Sequence, residues 1–243
     1  MSLYDNARLL IDGELVAAQG GRTFENINPA TEEVLGLVPD ASVEDTERAI
    51  AAARRAFDES PWATDHALRS RCLRQLRDGL QERIEELRKI TVSEVGCPIS
   101  MTYGPGLDDC VKWLGDYANF LDGYEWKTDM GVAEVMGSKT QRWILREPAG
   151  VMAAITPWNV PNDINLKKLG WAMAAGCTVV LKAAPTTSWC ANFLGEIIAT
   201  KTDVPAGAVN ILTSGDNAAI GEMLTADPRV DMVGFTGSTG VGK

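Results

Sequence analysis

Apolar residues recur along this chain at two different spacings, and the changes of spacing divide it into three stretches. Residues 8–38 hold short alternating apolar segments, Leu9-Leu10-Ile11 and Val34-Leu35-Gly36-Leu37-Val38, punctuated by Asp12-Gly13 and Asn28-Pro29. These predict strands and turns. Residues 43–57, VEDTERAIAAARRAF, change to helical spacing; Ser42 and Asp45 form a weak capping box ahead of them, and Pro61-Trp62 ends the run. Between 65 and 95 the apolar positions Leu68, Cys72, Leu76, Leu80, Ile84, Leu87 and Val95 predict two helices joined near Gly79, stopped by Gly96-Cys97-Pro98. A further helix over 107–122 places Val111, Leu114, Tyr117, Ala118 and Leu121 on one face.

Residues 126–148 break that rhythm. VAEVMGSKTQRWILREP predicts a hairpin around Gly137-Ser138-Lys139. It either projects from the body or forms an ordinary sheet edge. From 150 onward strands at 151–155, 178–181, 209–212 and 232–235 alternate with helices near 162–174, 187–199 and 216–225. That alternation predicts an α/β fold with a doubly wound, Rossmann-like parallel sheet. The N-terminal helical segment is expected to share its core, interrupted only by the hairpin.

Composition narrows the picture. The 243 residues are enough for one large domain or two small ones and for a sizeable core. The 45% hydrophobic and 23% charged residues are ordinary for a soluble globular chain. No apolar run reaches the ~20 residues of a membrane span, and MSLYDNARLLIDGELV is not a secretory signal, so a cytoplasmic protein is expected. A net charge of -10 disfavours nucleic acid as a partner. Five cysteines without CxxC spacing argue against disulfides and zinc, and the single histidine, His66, reads as an exposed surface residue, so no metal site is expected.

A parallel sheet binds ligands at the carboxyl ends of its strands. Three groups fall there: Thr156-Pro157-Trp158-Asn159, Lys182, and Gly237-Ser238. The Asn159 amide can donate to a developing oxyanion, or cap a turn. Lys182 can bond ribose hydroxyls or neutralise a phosphate, or stand solvated at a strand end. Gly237-Ser238-Thr239-x-x-Gly242 offers small residues and helix amides to an anion, although the GxGxxG pattern is absent.

The segment from 156 to 185, TPWNVPNDINLKKLGWAMAAGCTVVLKAAP, the closing FTGSTGVG at 235–242 and the Asn28-Pro29-Ala30-Thr31 turn resemble the NAD(P)-dependent aldehyde dehydrogenase superfamily. The resemblance covers nearly the whole chain and corresponds to the N-terminal, cofactor-binding half of that family. It implies a cofactor-binding domain formed by 1–125 and 149–243, and a hairpin at 126–148 that builds an oligomer. It implies that Asn159 stabilises the oxyanion and that Thr156, Pro157 and Trp158 flank the cofactor, unless Trp158 is only a structural residue. Lys182 would contact the adenosine ribose, and Ser238, between Gly237 and Gly242, the phosphates. Lys168 would lie near the catalytic centre as a proton relay, unless it is a surface lysine. Gly215 would lie near the adenine, unless it is only a turn glycine. Pro185 stands where NAD-preferring relatives often carry Glu, which leaves NAD and NADP both open.

The resemblance also implies chemistry: a Cys thiolate attacks an aldehyde, hydride passes to the nicotinamide, and water releases the acid. In that family the nucleophilic Cys and the general-base Glu follow the Gly-Ser-Thr loop, and this chain ends at Lys243. Cys72, Cys97, Cys110, Cys177 and Cys190 lack the nucleophile's context. The expectation is a truncated aldehyde dehydrogenase without its second, catalytic domain and inactive by itself. The alternative is a noncatalytic nucleotide-binding or interaction subunit that pairs with a complementary C-terminal chain. A short-chain hydroxyl dehydrogenase is excluded, because none of Tyr4, Tyr103, Tyr117 and Tyr124 opens a Tyr-x-x-x-Lys motif.

Overall fold

Strand order decides where a ligand can sit in this chain. The structure is a computed structural model that describes residues 3–5 and 7–243; residues 1, 2 and 6 of the expected first domain lie outside the described residues. The chain begins with β1 (Leu9–Ile11), β2 (Glu14–Val16), β3 (Thr23–Ile27) and β4 (Val34–Pro39). Five helices follow: α1 (Val43–Glu59), α2 (His66–Glu82), α3 (Ile84–Val95), α4 (Ile99–Thr102) and α5 (Asp108–Asp122). After the hairpin of β5 (Lys127–Val135) and β6 (Ser138–Leu145) come β7 (Val151–Ile155), α6 (Pro161–Ala175), β8 (Thr178–Lys182), α7 (Ser188–Lys201), β9 (Val209–Leu212), α8 (Asn217–Ala226), β10 (Met232–Phe235) and α9 (Thr239–Gly242).

The main sheet has the order β10-β7-β8-β9-β1-β2. The four strands β10, β7, β8 and β9 are parallel, while β1 and β2 extend the sheet antiparallel. The chain moves outward from β7 to β8 and β9, then returns to place β10 on the other side of β7. This reversal is a topological switch point, and it opens a crevice at the carboxyl ends of β7 and β10. Side chains alternate across the sheet as the strand period requires. Met152, Ala154, Val179, Leu181 and Ile211 join the larger core with α2, α5, α6 and α7; Val151, Ala153, Val180 and Leu212 join the smaller core with α1 and α8.

Local signals place most boundaries. Ser42 Oγ accepts from Asp45 N at 3.1 Å, and the Asp45 carboxylate accepts from Ser42 N at 3.0 Å, which completes the capping box of α1. Gly96 ends α3 in the left-handed region at φ 70°. Met136 and Gly137 both take positive φ, as a two-residue hairpin turn demands. Among the described residues the hairpin strands pair only with each other, and the hairpin exposes Met130, Val132, Val135, Met136, Trp143, Ile144 and Leu145.

Two expectations are corrected. The break between α2 and α3 falls at Arg83, and Gly79 lies inside α2. A Cβ at Gly79 would stand 2.7 Å from Ile197 Cγ2 and 3.1 Å from Lys201 Cβ, so this glycine serves the close approach of α7 rather than a helix end. Gly79→Val should therefore lower the unfolding free energy by about 2 kcal/mol, because neither neighbouring atom lies at the far end of a flexible side chain; the midpoint of urea unfolding measures it. His66 is half-buried rather than exposed. Its ring stacks on Trp126 with centroids 4.3 Å apart, and burial lowers its pKa. Among the described residues no helix is long and apolar enough to cross a membrane.

Candidate functional site

The ends of β7, β8 and β10 hold their loops by extending the sheet ladder one step. Thr156 N donates to Lys182 O at 3.2 Å, Thr236 N to Ile155 O at 3.1 Å, and Ala183 N to Leu212 O at 3.1 Å. Beyond those bonds the chain turns away, and an open cleft of about 1100 Å³ lies between the loops.

One wall is the turn 156–160. Thr156 is buried, Trp158 is 59% exposed, and the Asn159 side chain is free of hydrogen bonds to other described residues. Pro161 opens α6 at a position where a missing N–H costs nothing. Thr156, Pro157, Trp158 and Asn159 all line the cleft.

Lys182 forms the floor. It is the last residue of β8 and only 3% exposed, so it is not the solvated strand-end lysine the sequence left open. Its ammonium donates to Ala183 O at 3.3 Å and to Asn217 Oδ1. Burial pushes its pKa down to about 8, with Asp216 pulling weakly upward. Among the described lining residues Lys182 is the single cation and Glu222 the single acid. A buried amine served only by neutral oxygens is poised to receive an anion. Pro185 starts the 3₁₀ turn Pro185–Thr187 beside it and also lines the cleft.

The far wall is the loop from Thr236 to Gly242. Ser238 caps the short α9, its Oγ accepting from Val241 N at 3.4 Å. Gly237, Ser238 and Gly242 line the cleft. A Cβ at Gly237 would lie 2.6 Å from Phe235 Cζ, and one at Gly242 3.1 Å from Phe235 Cε1. Both glycines thus make room for the Phe235 ring folded against this loop, a constraint separate from ligand approach.

Two residues singled out in the sequence do not join this lining. Lys168 on α6 is half-buried on the other side of β10: a Cβ at Gly234 would be 3.4 Å from its Nζ, and burial lowers its pKa. Gly215 sits exposed after β9, its N–H donating to Asp40 Oδ1 at 3.0 Å. Conversely, Asn217, Glu222 and Thr225 on α8 and Thr186 after β8 line the cleft and were missed. The one available signal was that α8 follows the carboxyl end of β9; which face it turns inward is set by its packing on α1.

No described cysteine lines the cleft. Cys72, Cys110, Cys177 and Cys190 are buried. Burial pushes the Cys72 thiol up to about 11, that of Cys110 up to about 12, and that of Cys190 well above its usual range. Such thiols are poor nucleophiles. Cys97, half-buried after α3, is also shifted upward by burial.

Residues 15–243 match the model of the aldehyde dehydrogenase family. The chain is 39% identical over 237 residues to aminoacetaldehyde dehydrogenase of Pseudomonas aeruginosa, covering 97% of this chain and 46% of the relative. It is 36% identical over 244 residues to putative aldehyde dehydrogenase DhaS of Bacillus subtilis, covering 99% and 48%. The NAD+ complex of aldehyde dehydrogenase from Bacillus cereus superposes with a TM-score of 0.90 at 33% identity, covering 99% of this chain and 48% of that one. The chain spans about half the length of the curated relatives it matches.

Proposed function

Because the chain belongs to the aldehyde dehydrogenase family, we propose that its cleft binds NAD or NADP and that, in a protein of the relatives' full length, it serves the oxidation of an aldehyde to a carboxylic acid. The observation that carries this reading is the convergence of three strand-end elements, the Thr156–Asn159 turn, Lys182 and the Gly237-Ser238 loop, on one cleft at the switch point of a parallel sheet.

Each group fits a part of the dinucleotide. Lys182, a buried donor without a carboxylate partner, is assigned to the adenosine ribose and its neighbouring phosphate. Gly237, Ser238 and Gly242 are assigned to the pyrophosphate, with Thr156, Pro157 and Trp158 walling the path towards Asn159. The bound nicotinamide would supply the hydride acceptor. Asn159 would donate its amide hydrogens to the oxygen of the attacked carbonyl, a task that suits a side chain held by no other described residue. Lys168 and Gly215 receive no ligand contact in this assignment. With Pro185 in place of an acid, no carboxylate at that position repels a 2′-phosphate, so the reading covers both NAD and NADP.

No cysteine in the cleft can act as nucleophile, so residues 1–243 by themselves are expected to bind the dinucleotide and oxidise no aldehyde. Calorimetric titration with NAD+ and NADP+, followed by an assay for NADH or NADPH formation with a panel of aldehydes, tests both halves. Binding without turnover is expected. Failure to bind either cofactor would overturn the nucleotide reading, and turnover would overturn the expected inactivity.

A second reading is a noncatalytic nucleotide-binding subunit that pairs with a complementary chain or with copies of itself. The outer edge of β10 favours it: this strand ends the sheet, and Met232 is 38% exposed. The apolar hairpin between 126 and 148 would then bind copies of the chain into an oligomer in the cytoplasm. A stable monomer in sedimentation would count against this reading.

A further inference from the structure

We propose that Thr91 and Glu94, one turn apart on α3, are positioning residues that fix the two loops flanking the nucleotide cleft. The proposal rests on the nucleotide reading of that cleft.

Both residues are buried, each 2% exposed. Glu94 reaches across to α7. Its carboxylate accepts from Cys190 N at 2.6 Å and Trp189 N at 3.0 Å, and from Asn26 Nδ2 at 2.9 Å. The residue at the cap of α7, Thr187, makes no side-chain cap bond. The open amides of that helix end are therefore served by a carboxylate from α3, a distant element of the chain. Thr91 holds the start of α6 differently, through a side chain rather than through open amides. Its hydroxyl donates to Leu87 O at 2.7 Å and accepts from Asn162 Nδ2 at 2.8 Å, and α6 likewise has no side-chain cap of its own. The Thr91 hydroxyl also meets Cys190 Sγ at 3.6 Å, which ties the two anchor points together.

The gripped turns adjoin the cleft. Asn162 lies three residues after Asn159, and Trp189 three residues after Thr186, both of which line it. A single turn of α3 thus holds the starts of the two helices that follow the two strand-end loops. Apolar side chains would fill the same space at lower desolvation cost, but they would not resist sliding or rotation of α6 against α7. Directional hydrogen bonds to a carboxylate and a hydroxyl do. Asn159 lies on the first of those loops and Lys182 ends the strand from which the second departs, so the placing of the oxyanion donor and of the loop beside the ribose anchor is set from behind by α3.

The test combines amide hydrogen exchange with NAD+ titration of the chain, both well below its melting temperature. Glu94→Gln should speed exchange at Trp189, Cys190, Ala184, Thr186 and Thr187, and Thr91→Val at the first turn of α6. Each should weaken NAD+ by about tenfold, as small misplacements of binding groups do. Glu94→Asp and Thr91→Ser, which keep the carboxylate and the hydroxyl, should recover part of both losses and stand in if the first pair folds poorly. A folded Glu94→Gln chain with wild-type exchange in 183–190 would overturn the brace. A lower melting temperature with unchanged NAD+ affinity would overturn the positioning role. If the wild-type chain binds no NAD+, the cleft assignment fails, and the exchange data alone decide whether α3 holds the loops.

Discussion

Lys182→Met should weaken dinucleotide binding about 10–100-fold, or about 1.4–2.8 kcal/mol, while making the unliganded chain more stable. The two effects have one cause. The ammonium sits at 3% exposure and, among the described residues, donates only to Ala183 O and Asn217 Oδ1, so the fold carries the cost of a desolvated charge that an anionic ligand would relieve. Methionine keeps most of the stem's volume and removes the charge. The pH dependence follows from the depressed pKa of about 8. Between about pH 8 and the ordinary lysine range the unfolded chain binds more protons than the folded one, so stability rises with pH across that window. Below about 8 the full cost is present, and there the gain from Lys182→Met is largest, on the order of 1–3 kcal/mol. Binding runs the other way. Above about pH 8 the amine must take up a proton to meet the anion, so wild-type affinity falls as pH rises, and the variant's does not. Calorimetric titration across this pH range, beside thermal melts, reads both. Equal affinity of wild type and variant at pH 7 would remove Lys182 from the site.

Gly150→Ala should cost about 3–5 kcal/mol, a large share of the roughly 5–15 kcal/mol that holds a domain together. Gly150 has φ +125°, a conformation that strains any L side chain. An added Cβ would also fall 1.9 Å from Asp231 Oδ2 and 2.9 Å from Asp231 Cβ, so rotating the carboxylate away is not enough. That carboxylate accepts from Val151 N at 2.7 Å and from Arg54 NH1 at 2.9 Å, tying the first residue of β7 and helix α1 to the start of β10. Displacing it leaves the Val151 amide unpaired and loosens the β7–β10 pair that frames the cleft. Urea unfolding gives the size of the loss. Adding Asp231→Ala to Gly150→Ala should cost less than the sum of the single changes, because the 1.9 Å contact with the carboxylate disappears and only the 2.9 Å contact with Cβ, which alanine keeps, remains. A loss below about 1 kcal/mol in Gly150→Ala would show that the contact yields freely.

The strands of the parallel sheet were legible because each is an apolar run bounded by turn residues. The expected 151–155, 209–212 and 232–235 agree with β7, β9 and β10. β8 runs one residue further than expected, to Lys182, and that residue decides the chemistry: inside the ladder the amine is buried, outside it would be solvated. Gly79 shows the limit of glycine as a signal. The same residue type marks a helix end and a close helix contact, and only the approach of Ile197 on α7 separates the two meanings. His66 looked like a surface residue because its partner, Trp126, lies far along the chain.

The candidate site divides along the same line. The rule that ligands meet the carboxyl ends of parallel strands, with the family's motifs, singled out Thr156, Pro157, Trp158, Asn159, Lys182, Gly237, Ser238 and Gly242, and all line one cleft. Lys168 and Gly215, singled out by resemblance, lie outside that lining. Asn217, Glu222 and Thr225 went unnoticed because their inward orientation depends on how α8 rests on α1. Gly237 and Gly242 are read in the sequence as room for a phosphate, yet the Phe235 ring also crowds a Cβ at each, at 2.6 Å and 3.1 Å. The sequence by itself determined the element order, the parallel sheet and the strand-end positions of the chemistry, because apolar periodicity and turn residues act over a few neighbours. Only the tertiary structure decided which amine is buried, which helix face meets the cleft, and that Glu94 caps a helix 95 residues away. Those properties depend on the dielectric and the contacts created when distant segments meet.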